Sequence, residues 1–317
     1  MPSPAKSLGC VLRPMVEADV PKHAAMLKRS FNAWYRKHGL DQDFFQCADG
    51  ELAIFWEIYR HISPGHCVVA ADADSGELLG ACFYHPREHH VSLGIMAVDP
   101  SCFGRGVGGK LVKHIVDFTE SHGYAALRLV GSAGNMESFS LYNRAGFVPR
   151  AVHQDMMLAV PADGMRQSVP LGERVRTAVV KDIAGIQALE LEISGICRAE
   201  DYRFCIDNRV GCLHASVIED AKGNITGFAA SIKHTVLNMI GPAFARTEAE
   251  MLALLMRELD RFRAVSALMV VPMESRHIVE SLYRWGAINV ETHLLQVRGK
   301  YQPIAGVNLP SFLPESG

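Results

Sequence analysis

The sequence predicts an α/β protein made of two tandem copies of one unit, each a mixed, mostly antiparallel central sheet flanked by helices. Three observations lead there. At 317 residues the chain is longer than one hydrophobic core ordinarily serves, and two domains of about 150 residues each are expected. Residues 159–172, Ala-Val-Pro-Ala-Asp-Gly-Met-Arg-Gln-Ser-Val-Pro-Leu-Gly, carry the Pro/Gly/Ser punctuation of a linker. The pattern on one side of that linker recurs on the other.

The repeat is specific. Val11-Leu-Arg13-Pro-Met-Val-Glu-Ala-Asp19 is echoed by Val175-Arg176-Thr-Ala-Val-Val-Lys-Asp182, in each case a strand, a turn acid able to cap a helix, and a helix. Gly76-Glu-Leu-Leu-Gly80 is matched by Gly223-Asn-Ile-Thr-Gly227, each between two apolar strands as a hairpin, and Gly94 aligns with Gly241 at the same spacing. The expected division is a first domain at 8–160, a linker at 161–172, a second domain at 173–300 and a Pro- and Gly-rich tail at 301–317 lying across a domain surface. Within the first domain the pattern reads as a strand near 10–15, helices near 20–37 and 49–62, and strands near 66–73, 77–85 and 90–98. A helix at 106–122, a strand at 125–131, a helix at 136–145 and a final strand near 152–159 follow, so an antiparallel meander leads into a β-α-β unit.

Composition narrows the function. Apolar residues make up 49 % and charged residues 21 %, ordinary for a globular protein, and the net charge of −2 comes without a basic run, so a nucleic-acid partner lacks its electrostatic footprint. No 18-residue apolar run exists and the N-terminal Met-Pro-Ser-Pro-Ala-Lys has no apolar signal core, so no membrane association and a cytoplasmic location are expected. The eight cysteines occur without a C-x-x-C pair and read as reduced thiols. His85-Pro-Arg-Glu-His89-His90 reads as a polar hairpin tip rather than a metal site, because neighbouring side chains on a strand point to opposite faces.

The most informative stretch is Val98-Asp-Pro-Ser-Cys-Phe-Gly104-Arg105-Gly106-Val107-Gly108-Gly109-Lys110-Leu111, four glycines in six positions directly before a helix. Glycine lets the backbone approach a ligand, and the first turn of a helix offers unpaired N–H groups to an anion. Inside the helix each glycine costs about 1 kcal/mol relative to alanine, a cost that an inert connection has no reason to carry. A triphosphate loop would need a hydroxyl after Lys110, where Leu111 stands. A dinucleotide loop would need the glycines at once after the strand and a carboxylate at the end of the next strand; instead Asp99–Cys102 intervene, and Ala126–Val130 runs into Gly131-Ser132-Ala133.

What remains resembles the acetyl-CoA site of the GNAT superfamily of N-acetyltransferases. The family's loop, Gln/Arg-x-x-Gly-x-Gly/Ala, is met by Gly106 and Gly108 in register, with Phe103 in the place of the polar first residue. Its next motif, Asn-x-x-Ala/Ser-x-x-Leu-Tyr followed by Gly-Phe, is met by Asn135, Ser138, Leu141, Tyr142, Gly146 and Phe147. The resemblance covers nearly all of residues 8–160 and, more weakly, 172–300, and implies two tandem GNAT-like domains. It implies that main-chain groups of Met96, Ala97 and Val98 pair with the pantetheine arm and that the N–H groups from Gly104 through Arg105, Gly106, Val107 and Gly108 to Gly109 cradle the pyrophosphate. Asn135 would position the arm or the loop, beside Ser138 of the same motif, and Tyr142 would protonate the leaving thiolate. The acceptor would be a primary amine of a small molecule or peptide, and no metal is needed; a homodimer is left open.

Strand 90–98 contains no Asp or Glu, so His90 or water is the expected base. Eight aromatics between 31 and 59 stand where the family builds its acceptor pocket, though such a stripe on two helices also suits a core. The second copy has no glycine between Arg246 and Asp260 and opens its helix on Thr247-Glu248-Ala249-Glu250, a capping box whose carboxylates would repel a pyrophosphate. Cofactor and catalysis are therefore expected in the first copy alone. A non-catalytic acetyl-CoA sensor, or a transferase of a longer acyl group, shares the same motifs.

Overall fold

The computed structural model describes residues 9–316; the N-terminal segment read above for a signal, and residue 8 at the expected start of the first domain, lie outside the described residues. Each half opens on the same device. After strand β1 (Cys10–Pro14), Arg13 grips Asp19 through hydrogen bonds of 2.6 and 2.8 Å, and Asp19 accepts the Val16 N–H at 3.0 Å, closing the turn that launches helix α1 (Val20–Lys37). Between β7 (Val175–Thr177) and α5 (Ile183–Ser194), Arg176 holds Asp182 at 2.7 and 2.8 Å and Asp182 accepts the Val179 N–H at 2.8 Å. The conserved chemistry of the turn is thus the arginine–aspartate clamp rather than a simple helix cap.

The first half continues through α2 (Ile54–Ile62), β2 (Cys67–Asp72), β3 (Leu78–Pro86), β4 (His90–Val98), α3 (Val107–Ser121), β5 (Ala126–Ser132), α4 (Met136–Arg144) and β6 (Val148–Ala159). The second half repeats the order with α6 (Ala199–Asp207), β8 (Leu213–Glu219), β9 (Ile225–Lys233), β10 (Asn238–Ala245), α7 (Glu248–Leu259), β11 (Ser266–Pro272), α8 (Arg276–Arg284) and β12 (Ile288–Gly299), and adds β13 (Val307–Leu309). The paired hairpin glycines explain how a helix lies close on each sheet. A Cβ at Gly80 would stand 3.0 Å from Val107 and 3.2 Å from Leu111 of α3, and one at Gly227 would stand 2.9 Å from Leu254 of α7.

The strands join in one sheet of order β1-β2-β3-β4-β5-β12-β6-β11-β10-β9-β8-β7, with β13 on β10. At its centre the halves exchange strands. β6 leaves its own half and runs antiparallel to β11, β12 runs antiparallel to β5, and β6 and β12 pair with each other, His153 facing His293. The limits read as 8–160 and 173–300 therefore divide the chain but not the sheet. Alternating apolar residues define a strand and its buried face without naming its neighbour.

One other expectation is corrected. From Val307 onward the tail does not lie across a surface: Val307, Leu309 and Leu313 are buried, β13 pairs with β10, and Tyr59 donates to the Phe312 carbonyl at 3.0 Å while accepting the Glu315 N–H at 3.2 Å. Its apolar residues need cover, and the junction of the halves supplies it. The segment at His85–His90 is the β3–β4 hairpin tip, with Glu88 and His89 exposed, and its other polar residues turn inward. Arg87 is buried and pairs with Asp201 of α6 at 2.9 Å, and a second buried pair, Arg198–Glu190, lies in the second half with the Tyr202 hydroxyl on the same carboxylate. All eight cysteines are free, and no helix among the described residues is long and apolar enough to cross a membrane.

Exchanged strands and a buried ion pair between halves tie the halves into one cooperative unit. Denaturant unfolding of the whole protein, followed by circular dichroism and tryptophan fluorescence, is expected to show a single coincident transition; two resolved transitions would show that the halves close separately. Asp201→Ala leaves the Arg87 charge buried and is expected to cost about 3–5 kcal/mol in the same experiment.

Candidate active site

β4 and β5 are paired, in parallel, only at His90–Ala126, Val91–Leu127 and Ser92–Arg128. Beyond that point they part. Against β3 the register jumps from Tyr84–Leu93 to Cys82–Met96, so β4 carries one extra residue, a bulge at Gly94–Ile95 that turns it away from β5. Gly94 permits the bend because a Cβ there would stand 2.7 Å from His85 Nε2 and 3.0 Å from the Phe83 carbonyl. The wedge opens into a cavity of about 1300 Å³.

One end of the cavity is built by the glycine loop. Asp99 accepts the Ser101 N–H at 3.0 Å and shapes the turn after β4, and Gly104 and Gly106 take left-handed φ of 72° and 85°, Gly106 serving as the N-cap of α3. Gly104, Gly106, Val107, Gly108 and Gly109 all line the cavity, and the side chains of Val107 and Leu111 are buried in the core. The unpaired N–H groups of the first turn of α3 are thus presented to the opening. Phe103 lines the same end and is 40 % exposed.

The opposite wall of the wedge comes from β5 and α4. Asn135 caps α4, its Oδ1 accepting the Ser138 N–H at 2.9 Å, so this side chain orders the helix that carries Tyr142. Asn135, Ser138 and Tyr142 line the cavity, and a Cβ on Gly131 would lie 3.8 Å from the Tyr142 ring. Burial pushes the Tyr142 phenol well above its ordinary range, so it keeps its proton near neutral pH. Met96 and Val98 also line the cavity; Ala97 and Arg105 do not. His90 stands apart as well: it is buried where β4 and β5 are still paired, within 3.3 Å of Ser92 Oγ. Burial, with Arg128 and Arg87 nearby, holds its imidazole well below the usual range. It is therefore badly placed to serve as the base.

At the far end six of the eight aromatics, Phe31, Trp34, Tyr35, Phe44, Phe45 and Phe55, line the cavity, while Trp56 and Tyr59 pack elsewhere in the core. The second half closes this end with Val236 and Leu237 between β9 and β10 and Asn238 at the start of β10, and the tail adds Phe312 and Glu315. The exchanged strands contribute Asp155 from β6 and Glu291, His293 and Gln296 from β12. Tyr35 donates to Glu291 at 2.7 Å, and His293 Nδ1 lies 2.9 Å from Asp155. Burial opposes a charged His293, but the hydrogen bond and charge of Asp155 outweigh it and raise the imidazole above its ordinary value.

None of these acidic groups was legible as a site residue. Glu291 and His293 alternate along one strand, which marks a common face but not a cavity, and Glu315 sits in a tail without periodicity. Two clusters, Asp155–Glu291–His293 and Glu88–His89–Cys197, bring one metal-ligand type of atom from each residue within 4.8 Å of one another. The first already has internal partners in the hydrogen bonds just described.

The second half treats its own wedge differently. β10 and β11 pair in parallel at Met239–Leu268 and Ile240–Met269, and then β13 pairs with β10 from Ala243 to Ala245. A Cβ at Gly241 would stand 2.9 Å from the Pro310 carbonyl. The chain's own strand thus fills the space that the first half leaves open. α7 caps itself, the Glu250 N–H donating to Thr247 Oγ1 at 3.2 Å and the Thr247 N–H to Glu250 at 3.1 Å. Tyr283, the counterpart of Tyr142, is 48 % exposed.

Comparison with known proteins agrees with this geometry. The family model described as acetyltransferase (GNAT) family matches residues 26–147, and that described as acetyltransferase (GNAT) domain matches residues 204–305. Among solved structures, a candidate acetyltransferase of Pyrococcus horikoshii superposes with a TM-score of 0.74 at 15 % identity, covering 94 % of this chain and 93 % of that one. A GCN5-related N-acetyltransferase of Sphaerobacter thermophilus gives 0.61 at 18 %, covering 93 % and 97 %. A tandem GNAT protein from the clavulanic acid biosynthesis pathway gives 0.59 at 14 %, covering 92 % and 98 %. Among curated proteins, UPF0157 protein YqkA of Bacillus subtilis (strain 168) is 28 % identical over 91 residues, 29 % of this chain, and the match spans only 26 % of that relative's length. With two GNAT domains in tandem, the chain belongs to the GNAT acetyltransferase family.

Proposed function

We propose that this protein transfers an acetyl group from acetyl-CoA to a primary amine of a small molecule or peptide, by direct attack, in the one open wedge of the first half. The observation that carries the reading is the character of the two ends of one cavity: a glycine-lined helix N-terminus at one, and Asp155, Glu291 and Glu315 with a single imidazole, His293, at the other. The first suits a pyrophosphate and the second a cation.

In this reading the pantetheine arm lies along Met96–Val98 as an added strand, its amides meeting the main chain that β5 leaves free. The amine attacks the thioester carbonyl, a main-chain N–H of the splayed part of β4 holds the developing oxyanion, and Tyr142 gives its proton to the departing sulfur. The aromatic wall holds the body of the acceptor. The second half acts through the acceptor end alone, since its own wedge holds β13.

Calorimetric titration with acetyl-CoA is expected to give one site per chain. Gly108→Glu places a carboxylate in the phosphate cradle while its Cβ meets only Leu141 at 3.4 Å and Val98 at 3.8 Å, so binding should be lost with the fold intact. Two sites would contradict the filled second wedge, and retained affinity in the variant would detach the glycines from phosphate binding. Tyr142→Phe should lower kcat by about a hundredfold with acetyl-CoA affinity nearly unchanged. Binding without thiol release from any amine would favour a sensor.

A further inference from the structure

An amine acceptor is an ammonium ion near neutral pH, and it cannot attack until it has lost a proton. β4 carries no carboxylate and His90 lies outside the cavity. Of the acidic groups at the acceptor end, Asp155 is engaged by His293 and Glu291 by Tyr35. Glu315 is different. Its residue is 5 % exposed, it lines the cavity, and its carboxyl has no hydrogen-bond or ion-pair partner among the described residues. It lines the same cavity as Tyr142, the residue proposed for the departing sulfur, and burial pushes its carboxyl well above the usual carboxylate range, so it holds a proton more strongly than an exposed glutamate.

Nor does Glu315 hang loosely. Its N–H donates to the Tyr59 hydroxyl at 3.2 Å, and the same hydroxyl donates to the Phe312 carbonyl. Phe312 packs on His293 with ring centroids 4.8 Å apart. Within this turn the Ser311 N–H donates to Ser316 Oγ at 2.7 Å, and upstream β13 fixes the segment to β10. A buried carboxyl with no partner costs stability, and a tail anchored at so many points holds it there regardless.

We infer that Glu315, carried into the cavity by the tail, is the residue that takes the proton from the acceptor's ammonium, so that the acceptor is a cationic primary amine and the tail completes the active site. The inference rests on the acetyltransferase reading above. The protons balance. The Glu315 carboxylate takes one proton from R–NH3+, the free amine forms the C–N bond, and the C–S bond breaks as Tyr142 protonates the sulfur. The second proton lost from nitrogen restores Tyr142, the third stays on the amide, and Glu315 returns its proton to solvent.

The test measures thiol release from acetyl-CoA with phenethylamine, benzylamine and putrescine, in the wild-type protein and in Glu315→Gln, across pH, with acetyl-CoA affinity taken separately by calorimetry. Glu315→Gln is expected to keep its unfolding temperature and acetyl-CoA affinity and to lose about a hundredfold in kcat near neutral pH. The deficit should narrow as pH nears the amine's own pKa, where free amine no longer needs a base, and Glu315→Asp should recover part of the rate. A rate unchanged in Glu315→Gln, a deficit equal at every pH, or no turnover of any of the three amines by a protein that binds acetyl-CoA would each overturn the inference. Failure of the wild-type protein to bind acetyl-CoA would instead overturn the acetyltransferase reading, and this inference with it.

Discussion

Everything in this molecule depends on the antiparallel pairing of β6 with β12 at the centre of the sheet. Because each half surrenders its final strand, neither has a complete sheet without the other, and what would be two edges becomes a continuous ladder. An open edge of that length invites pairing with other chains, and the exchange removes it. The same pairing sets the position of the site. Asp155 and Glu291 lie opposite one another in its register, and both face the cavity that opens between β4 and β5.

Two wedges of common design meet opposite fates. In both halves a glycine marks the place where the fourth strand bends from the fifth, Gly94 in one and Gly241 in the other, and each allows an approach that a side chain would forbid. The first wedge is left open before a helix whose opening turn is glycine. The second is occupied by β13 and lies before a helix whose opening turn is closed by Thr247 and Glu250. Charge and space agree in each case: unpaired N–H groups face a cavity in one half, and satisfied ones accompany a filled sheet in the other.

The fold and the glycine-lined end of the cavity were legible in the sequence because they rest on local backbone demands. Gly104 and Gly106 occupy left-handed positions, Gly80 and Gly227 lie under helices, and the spacing of Arg13 to Asp19 recurs from Arg176 to Asp182. Such demands leave a trace in residue type. Strand exchange leaves none, since β6 would alternate in the same way beside β5 as beside β11. The acceptor end was hidden for a related reason: an apolar face such as Phe31–Tyr35 looks the same whether it meets a core or a cavity, and Glu315 owes its place to contacts with Tyr59, almost the whole chain away.

The two ends of the cavity are drawn from different parts of the polypeptide. The loop, α3 and α4 at the end proposed for the donor lie between residues 96 and 142, whereas the end proposed for the acceptor is walled by the aromatics at 31–55, β6, β12, the β9–β10 connection and the tail. Selection can therefore act on them separately. Under the proposed function, changes at 155, 236, 291 or 312 would alter which amine fits while the loop that would grip the donor stays as it is, so the second half would work as an adjustable part of a single pocket.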